Sequence, residues 1–190
     1  MHETFDKWME LQTDILCGHE DGFFCKDTIE TLKFNILMLK VCFGEQNAND
    51  LISYFSAFTQ QNNYEIIKSL ECIEVLFYSI DFDLLDKITL TIITQYIIGM
   101  SSHKETDARY YSVRILFLLC KSSCRDPAMM QISKMMDNDN YIIKANILNR
   151  IDIIRKGNAE IAELVIQKGQ ADNHYLIREI AENQNVIMKR

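Results

Sequence analysis

Cys17, His19 and Cys25 stand close together in one loop-like stretch, and they are the residues of this chain whose types best suit metal chemistry. A structural zinc site needs four ligands and is usually built on cysteine pairs two to four residues apart. Here the cysteine spacing is wider and the nearest spare ligand, His2, has nothing to place it, so the sequence predicts no metal site. Cys120 and Cys124 are four apart and share one face of a helix, but no histidine accompanies them. They read as core and helix-end residues, because a thiol in an apolar run behaves as a small hydrophobe. The four histidines, His2, His19, His103 and His174, fall in or beside turns. None belongs to a nucleophile motif, a phosphate-binding glycine loop or a metalloprotease helix. The expectation is a chain with no catalytic residues and no cofactor.

A recurring phrase carries more information than these groups. Tyr111-Ser112-Val113-Arg114, Tyr141-Ile142-Ile143-Lys144 and Tyr175-Leu176-Ile177-Arg178 each follow an Asp- or Asn-bearing turn and open an apolar helical run, with an imperfect copy at Tyr64 to Lys68. With Lys33 as a first member, the basic residues at 33, 68, 114, 144 and 178 are separated by 35, 46, 30 and 34 residues. A period of this size is the mark of stacked helix pairs, since one pair cannot bury its apolar face alone.

The elements that would position these residues are helical. A single proline and six glycines leave little to make the tight turns of a sandwich or barrel. With 48% hydrophobic and 25% charged residues, 190 residues can bury a core and accommodate about five helix pairs. Ten helices are predicted. Among them are an amphipathic helix over about 64–79, and one over about 84–99 whose β-branched run Ile88 to Thr94 partly alternates like a strand. Asp126-Pro127 reads as a cap and first helical residue. Asp137-Asn138-Asp139-Asn140 ends one helix and caps the next, which carries Ile143, Ile147, Leu148, Ile151 and Ile154, and Gly157-Asn158 separates it from a helix over 159–167. A last helix turns Leu176, Ile177 and Ile180 inward.

The stretch from Met135 to Leu148, in which Asp137-Asn138-Asp139-Asn140 precedes Tyr141-Ile142-Ile143-Lys144, resembles the junction of a HEAT repeat in the HEAT/armadillo-like family. Asp107 with Val113-Arg114 and Asp172 with Ile177-Arg178 match more loosely, and the resemblance is clearest over 105–185. It implies an all-α, right-handed α–α superhelix, a solenoid formed by residues 1–190 as a single domain. It also implies a ladder between repeats, here Asp137 with Lys144 and Asp172 with Arg178. The chain departs from the family in lacking most first-helix prolines and in its 46-residue step.

The net charge of −7 argues against a broad grip on nucleic acid and suits a basic protein partner. No apolar run is long enough to span a bilayer and the first residues do not read as a secretion signal, so a reducing, cytoplasmic setting is expected. In a solenoid the polar positions of each second helix line the concave side. That nominates Glu71, Glu74 and Tyr78, then Asn146, Asn149 and Arg150, then Glu179, Glu182 and Asn183 as partner-binding residues. The functional expectation is a non-enzymatic protein-binding module, in its specific form a bacterial immunity protein that neutralises a basic toxin such as a nuclease. The alternatives are a scaffold of a larger assembly, or a HEAT-like DNA glycosylase that would bind DNA in a salt-dependent way.

Overall fold

The computed structural model of the chain describes residues 63–79, 82, 85–137 and 140–188, and no strand occurs among them. The helices expected before residue 63, and with them Lys33 and the Cys17–His19–Cys25 group, lie outside these residues. The chain divides into two compact units, Met1–Ile93 and Thr94–Arg190.

In the first unit, α1 (Asn63–Ser79) buries Ile66, Leu70, Ile73 and Phe77, the three- and four-residue spacing of one helical face. The Phe77 and Phe82 rings meet edge to face at 5.1 Å. The strand-like run is helical. Asp86 starts α2 (Lys87–Met100) by accepting hydrogen bonds from the amides of Ile88 and Thr89 at 2.9 and 3.0 Å and from the Thr89 hydroxyl. A start so well capped, with Leu90, Ile93 and Ile97 buried at helical spacing, overrides the β preference of the branched residues.

The second unit takes in the rest of α2 and six further helices: α3 (Thr106–Leu119), α4 (Arg125–Met135), α5 (Tyr141–Asn149), α6 (Ile151–Gly157), α7 (Ala159–Gln170) and α8 (Tyr175–Met188). Their packing forms two rows. Helix α5 lies against both α3 and α8, α4 lies against α7, and the rows meet where α3 packs on α4, α5 on α4 and α7, and α8 on α7. Ile143, Ile147, Leu148, Ile151 and Ile154 are all buried, as their spacing predicts. Gly169 allows a close approach, because a Cβ there would stand 2.9 Å from the Ala181 Cβ on α8 and 3.1 Å from a Leu148 methyl on α5.

Several local readings need correction. The helix expected from Tyr141 through Ile154 breaks at Arg150, which leaves helical geometry at φ −113° and ψ 16° and bonds its amide back to Ile147. Helix α4 begins at Arg125, so Pro127 is its third residue rather than its first. Proline is tolerated there because the first four amides of a helix have no partner within it. In α8, Leu176 faces outward at 37% exposure and Ala181 takes the core position.

Candidate functional site

The repeat register is set by helix geometry rather than by the tyrosine phrase. Lys144 and Arg178 are each the fourth residue of their helices, and the fourth residue of α3 is Arg109, not Arg114. With Arg109 in the series the steps that follow it become 35 and 34 in place of 30 and 34, and the step from Lys68 shortens from 46 to 41. Arg114 instead stands over the Tyr110 and Tyr111 rings, 5.6 Å from each centroid.

The ion pairs also differ from the expected ladder. Lys144 pairs with Asp172 at 2.7 Å and not with Asp137, and both side chains are mostly buried, at 13% and 9% exposure. Asp137 is held by Lys168, whose ammonium lies 2.8 Å from its carboxylate and donates to the Ser133 carbonyl at the end of α4. Each rung therefore joins one helix pair to the next. Arg178 stays within its own turn and donates to the Asp172 and Asn173 carbonyls, as Arg109 donates to those of His103 and Lys104. The reason is reach: a residue on the first turn of a helix lies beside the carbonyls of the turn it leaves, and Nη1 of an arginine carries two N–H groups that can take two of them. Burial raises the Asp172 pKa, but hydrogen bonds from Lys144 and the His174 amide, with the charges of Lys144 and His174, outweigh it and hold the carboxyl below its usual range.

Beside this rung the surface is aromatic. The His174 ring stacks on Tyr141 with centroids 4.8 Å apart and planes 3° from parallel, and Tyr175 stacks on His174 at 5.4 Å and 15°. Tyr141 and Tyr175 are 46% and 63% exposed, and Ile142 and Leu176 beside them are also exposed. The phrase found in the sequence thus has a division of labour. Its tyrosine lies on the surface, its third residue (Ile143, Ile177) is core, and its basic residue ties the turns. Sequence reasoning saw the tyrosines but not His174, which bridges them from a turn and carries no periodic signal.

The nominated partner-binding residues fare unequally. Asn149, Glu179 and Glu182 are exposed on α5 and α8, two helices that pack together, and Asn183 is exposed next to Glu182. Asn146 is half-buried, and the half-buried Arg150 holds its guanidinium 5.7 Å from the centroid of the buried Phe117 ring. On α1, Tyr78 is exposed and Glu71 half-buried, while Glu74 is buried at 4% exposure, so the face expected to be open encloses it.

Among the described residues no group of three His, Cys, Asp or Glu is placed to hold a metal ion, and no helix is long and apolar enough to cross a membrane. Cys120 and Cys124 are free and buried, and burial pushes the Cys120 thiol up to about 12 against the lowering influence of Arg125. Comparison of the chain with protein-family models, with curated proteins and with solved structures finds no match.

Proposed function

We propose that this chain is a HEAT-like helical-repeat module, with its helix pairs wound as a right-handed superhelix, that binds another protein through the faces of α5 and α8. The observation that carries this reading is the exposed Tyr141–His174–Tyr175 stack with Ile142 and Leu176 at its side. Stacked rings are rigid and amphipathic, so they can be buried by a partner at little cost in side-chain entropy, and tyrosine is enriched where proteins meet. Glu179 and Glu182 follow Tyr175 along the exposed side of α8, and the chain carries a net charge of −7. Both favour a basic partner. The specific form of the reading is neutralisation of a basic toxin such as a nuclease, inside a reducing cytoplasm in which the free thiols persist.

The experiment is a pull-down from the native host with tagged protein, eluted in steps of salt and identified by mass spectrometry, repeated with Tyr141→Ala/Tyr175→Ala and with Glu179→Lys/Glu182→Lys. One basic protein should be retained at fixed stoichiometry and released as salt rises. The tyrosine variant should lose it by about tenfold or more in affinity, as truncation at an interface centre does. Retention unchanged in both variants would overturn the choice of face, and recovery of a large assembly would point to a scaffold instead.

A further inference from the structure

The turn between α2 and α3 and the end of α4 enclose a surface pocket of about 690 Å³, with Ser102, His103, Lys104, Arg109, Lys134 and Asp137 on its walls. In an acidic chain this wall is cationic. Its one carboxylate, Asp137, is already held by Lys168 at 2.8 Å. Among the described residues the ammonium groups of Lys104 and Lys134 form no ion pair, and the Arg109 Nε is buried without a hydrogen-bond partner.

The origin of this imbalance is a substitution within the repeat. Lys168 reaches back 31 residues to Asp137, and the same separation from Lys134 leads to His103. A second ruler agrees. His103 Nδ1 accepts the amide two residues on, from Glu105 at 3.2 Å, as Asp172 accepts that of His174 at 2.8 Å, and the carbonyls of both are clamped by the arginine six residues on. His103 therefore occupies a position that holds Asp in the later turns, and Lys134 shares its pocket with an imidazole where Lys168 pairs with a carboxylate. Because Nδ1 is an acceptor, the ring proton of neutral His103 is on Nε2, which adds a donor and no negative charge.

The helix ends that border the pocket oppose an anion less than open C-termini would, since most of their carbonyls accept hydrogen bonds. Ser101 Oγ donates to Ile98 O, the His103 amide to Met100 O, Arg109 to the His103 and Lys104 carbonyls, the Asp137 amide to Lys134 O, and Lys168 to Ser133 O. The far wall is braced by Gln131, which donates to Ser101 Oγ at 2.7 Å.

We propose that this pocket is a binding site for a phosphate dianion, free or carried as a monoester on a small molecule. Two ammonium groups, an imidazole N–H and the Ser102 hydroxyl, with the charge of Arg109 behind them, suit an ion with several equivalent oxygens, and charge-assisted hydrogen bonds are the strong ones. Arg109 itself donates to the His103 and Lys104 carbonyls and the Thr106 hydroxyl. The volume exceeds what the ion alone needs and lies within the range of small-molecule sites, about 300–1,000 Å³.

Calorimetric titration at constant ionic strength tests the site with inorganic phosphate, ribose 5-phosphate and ribose as probes, on the full chain and on Lys104→Gln, Lys134→Gln, His103→Asp and Lys121→Gln. Phosphate should bind at one site per chain. Its affinity should fall by about tenfold or more in each Lys→Gln pocket variant, the loss of one charge-assisted bond. Lys121, in the turn after α3 at the end of that helix away from the pocket, is the control for net charge and should not matter. His103→Asp restores the repeat's carboxylate, so it should abolish binding while the melting temperature stays the same or rises. That combination separates a lost site from a lost fold. Ribose 5-phosphate binding tighter than phosphate would assign the site to a phosphorylated small molecule, and equal affinity would assign it to the free ion. No saturable heat with either, or His103→Asp binding as the wild type does, would overturn the proposal. The residues are not those of the protein-binding face, so either result leaves that reading where it stands.

Discussion

Lys144 and Asp172 show how much one residue pair can decide. Both side chains are nearly out of water and their charged ends are 2.7 Å apart. Two largely buried ions repay most of their desolvation through each other, so removing one is costlier than removing both. Lys144→Met should therefore destabilise the second unit by about 3 kcal/mol in urea unfolding, while Lys144→Met/Asp172→Leu should return most of that loss. A double variant as unstable as the single would show that the pair is not an energetic unit. The pH dependence has a definite sign. The folded pKa of Asp172 is depressed, so the folded chain holds fewer protons than the unfolded one on the acid side. The stability it contributes is complete above the ordinary carboxyl value of about 3.9 and is lost as pH falls through that value towards the lower folded one. Asp86, depressed through its bonds from Thr89 and Ile88 although burial works against it, acts in the same direction at the start of α2. Urea midpoints measured from pH 7 down to pH 3 should fall less steeply for Asp172→Asn than for the wild type. Gly169 tests packing at the same scale. Gly169→Val places atoms where Ala181 and Leu148 already are, so a loss of about 2 kcal/mol is expected, with partial recovery in Gly169→Val/Ala181→Gly.

At the scale of elements, the asparagines at 140 and 158 decide where helices begin. Asn140 accepts from the Ile142 and Ile143 amides, at 2.9 and 3.4 Å, and Asn158 from that of Ile161 at 3.1 Å. Asn158→Ala should cost about 1 kcal/mol and speed amide exchange in the first turn of α7 ahead of its last. Uniform acceleration along α7 would instead mean that the helix opens only as a whole. The cap before Tyr141 was readable in the sequence, from the Asp- and Asn-rich turn that precedes an apolar run, and so were the buried faces of α1 and α5, whose apolar residues recur at helical spacing. The break at Arg150 was not readable. It serves a contact with Phe117, which is more than thirty residues earlier, and no local pattern announces it. The ladder partners and the place of Arg109 in the register stayed hidden for the same reason, since a turn's charges choose among partners some thirty residues away. Glu74 shows the limit from the other side: four residues after Leu70 and three before Phe77, it lies at the edge of the buried face of α1, where its charge argued for exposure.

For the molecule as a whole, the two free thiols of the second unit offer a measure of its cooperativity. Cys120 ends α3 and Cys124 precedes α4, and both are nearly inaccessible, at 7% and 6% exposure. Alkylation requires a thiolate in contact with the reagent, and the Cys120 pKa of about 12 suppresses the thiolate as well as burial suppresses contact. Both sites should therefore react only through opening. If α3, α4, α5, α7 and α8 open together, as two interlocked rows should, site-resolved alkylation read by peptide mass spectrometry will give Cys120 and Cys124 rates with the same dependence on urea. Ile147 lies fully buried on α5, the helix that touches both neighbours in its own row and both helices of the other. Ile147→Asp puts an unpaired charge at that junction and should bring both cysteines to the rate of the unfolded chain in native buffer, with loss of the far-ultraviolet helical signal. Rapid reaction of Cys124 with Cys120 still protected in the wild type would show that the turn between α3 and α4 opens by itself. Stability would then be distributed repeat by repeat, as nearest-neighbour coupling in a stack allows, rather than shared across the unit.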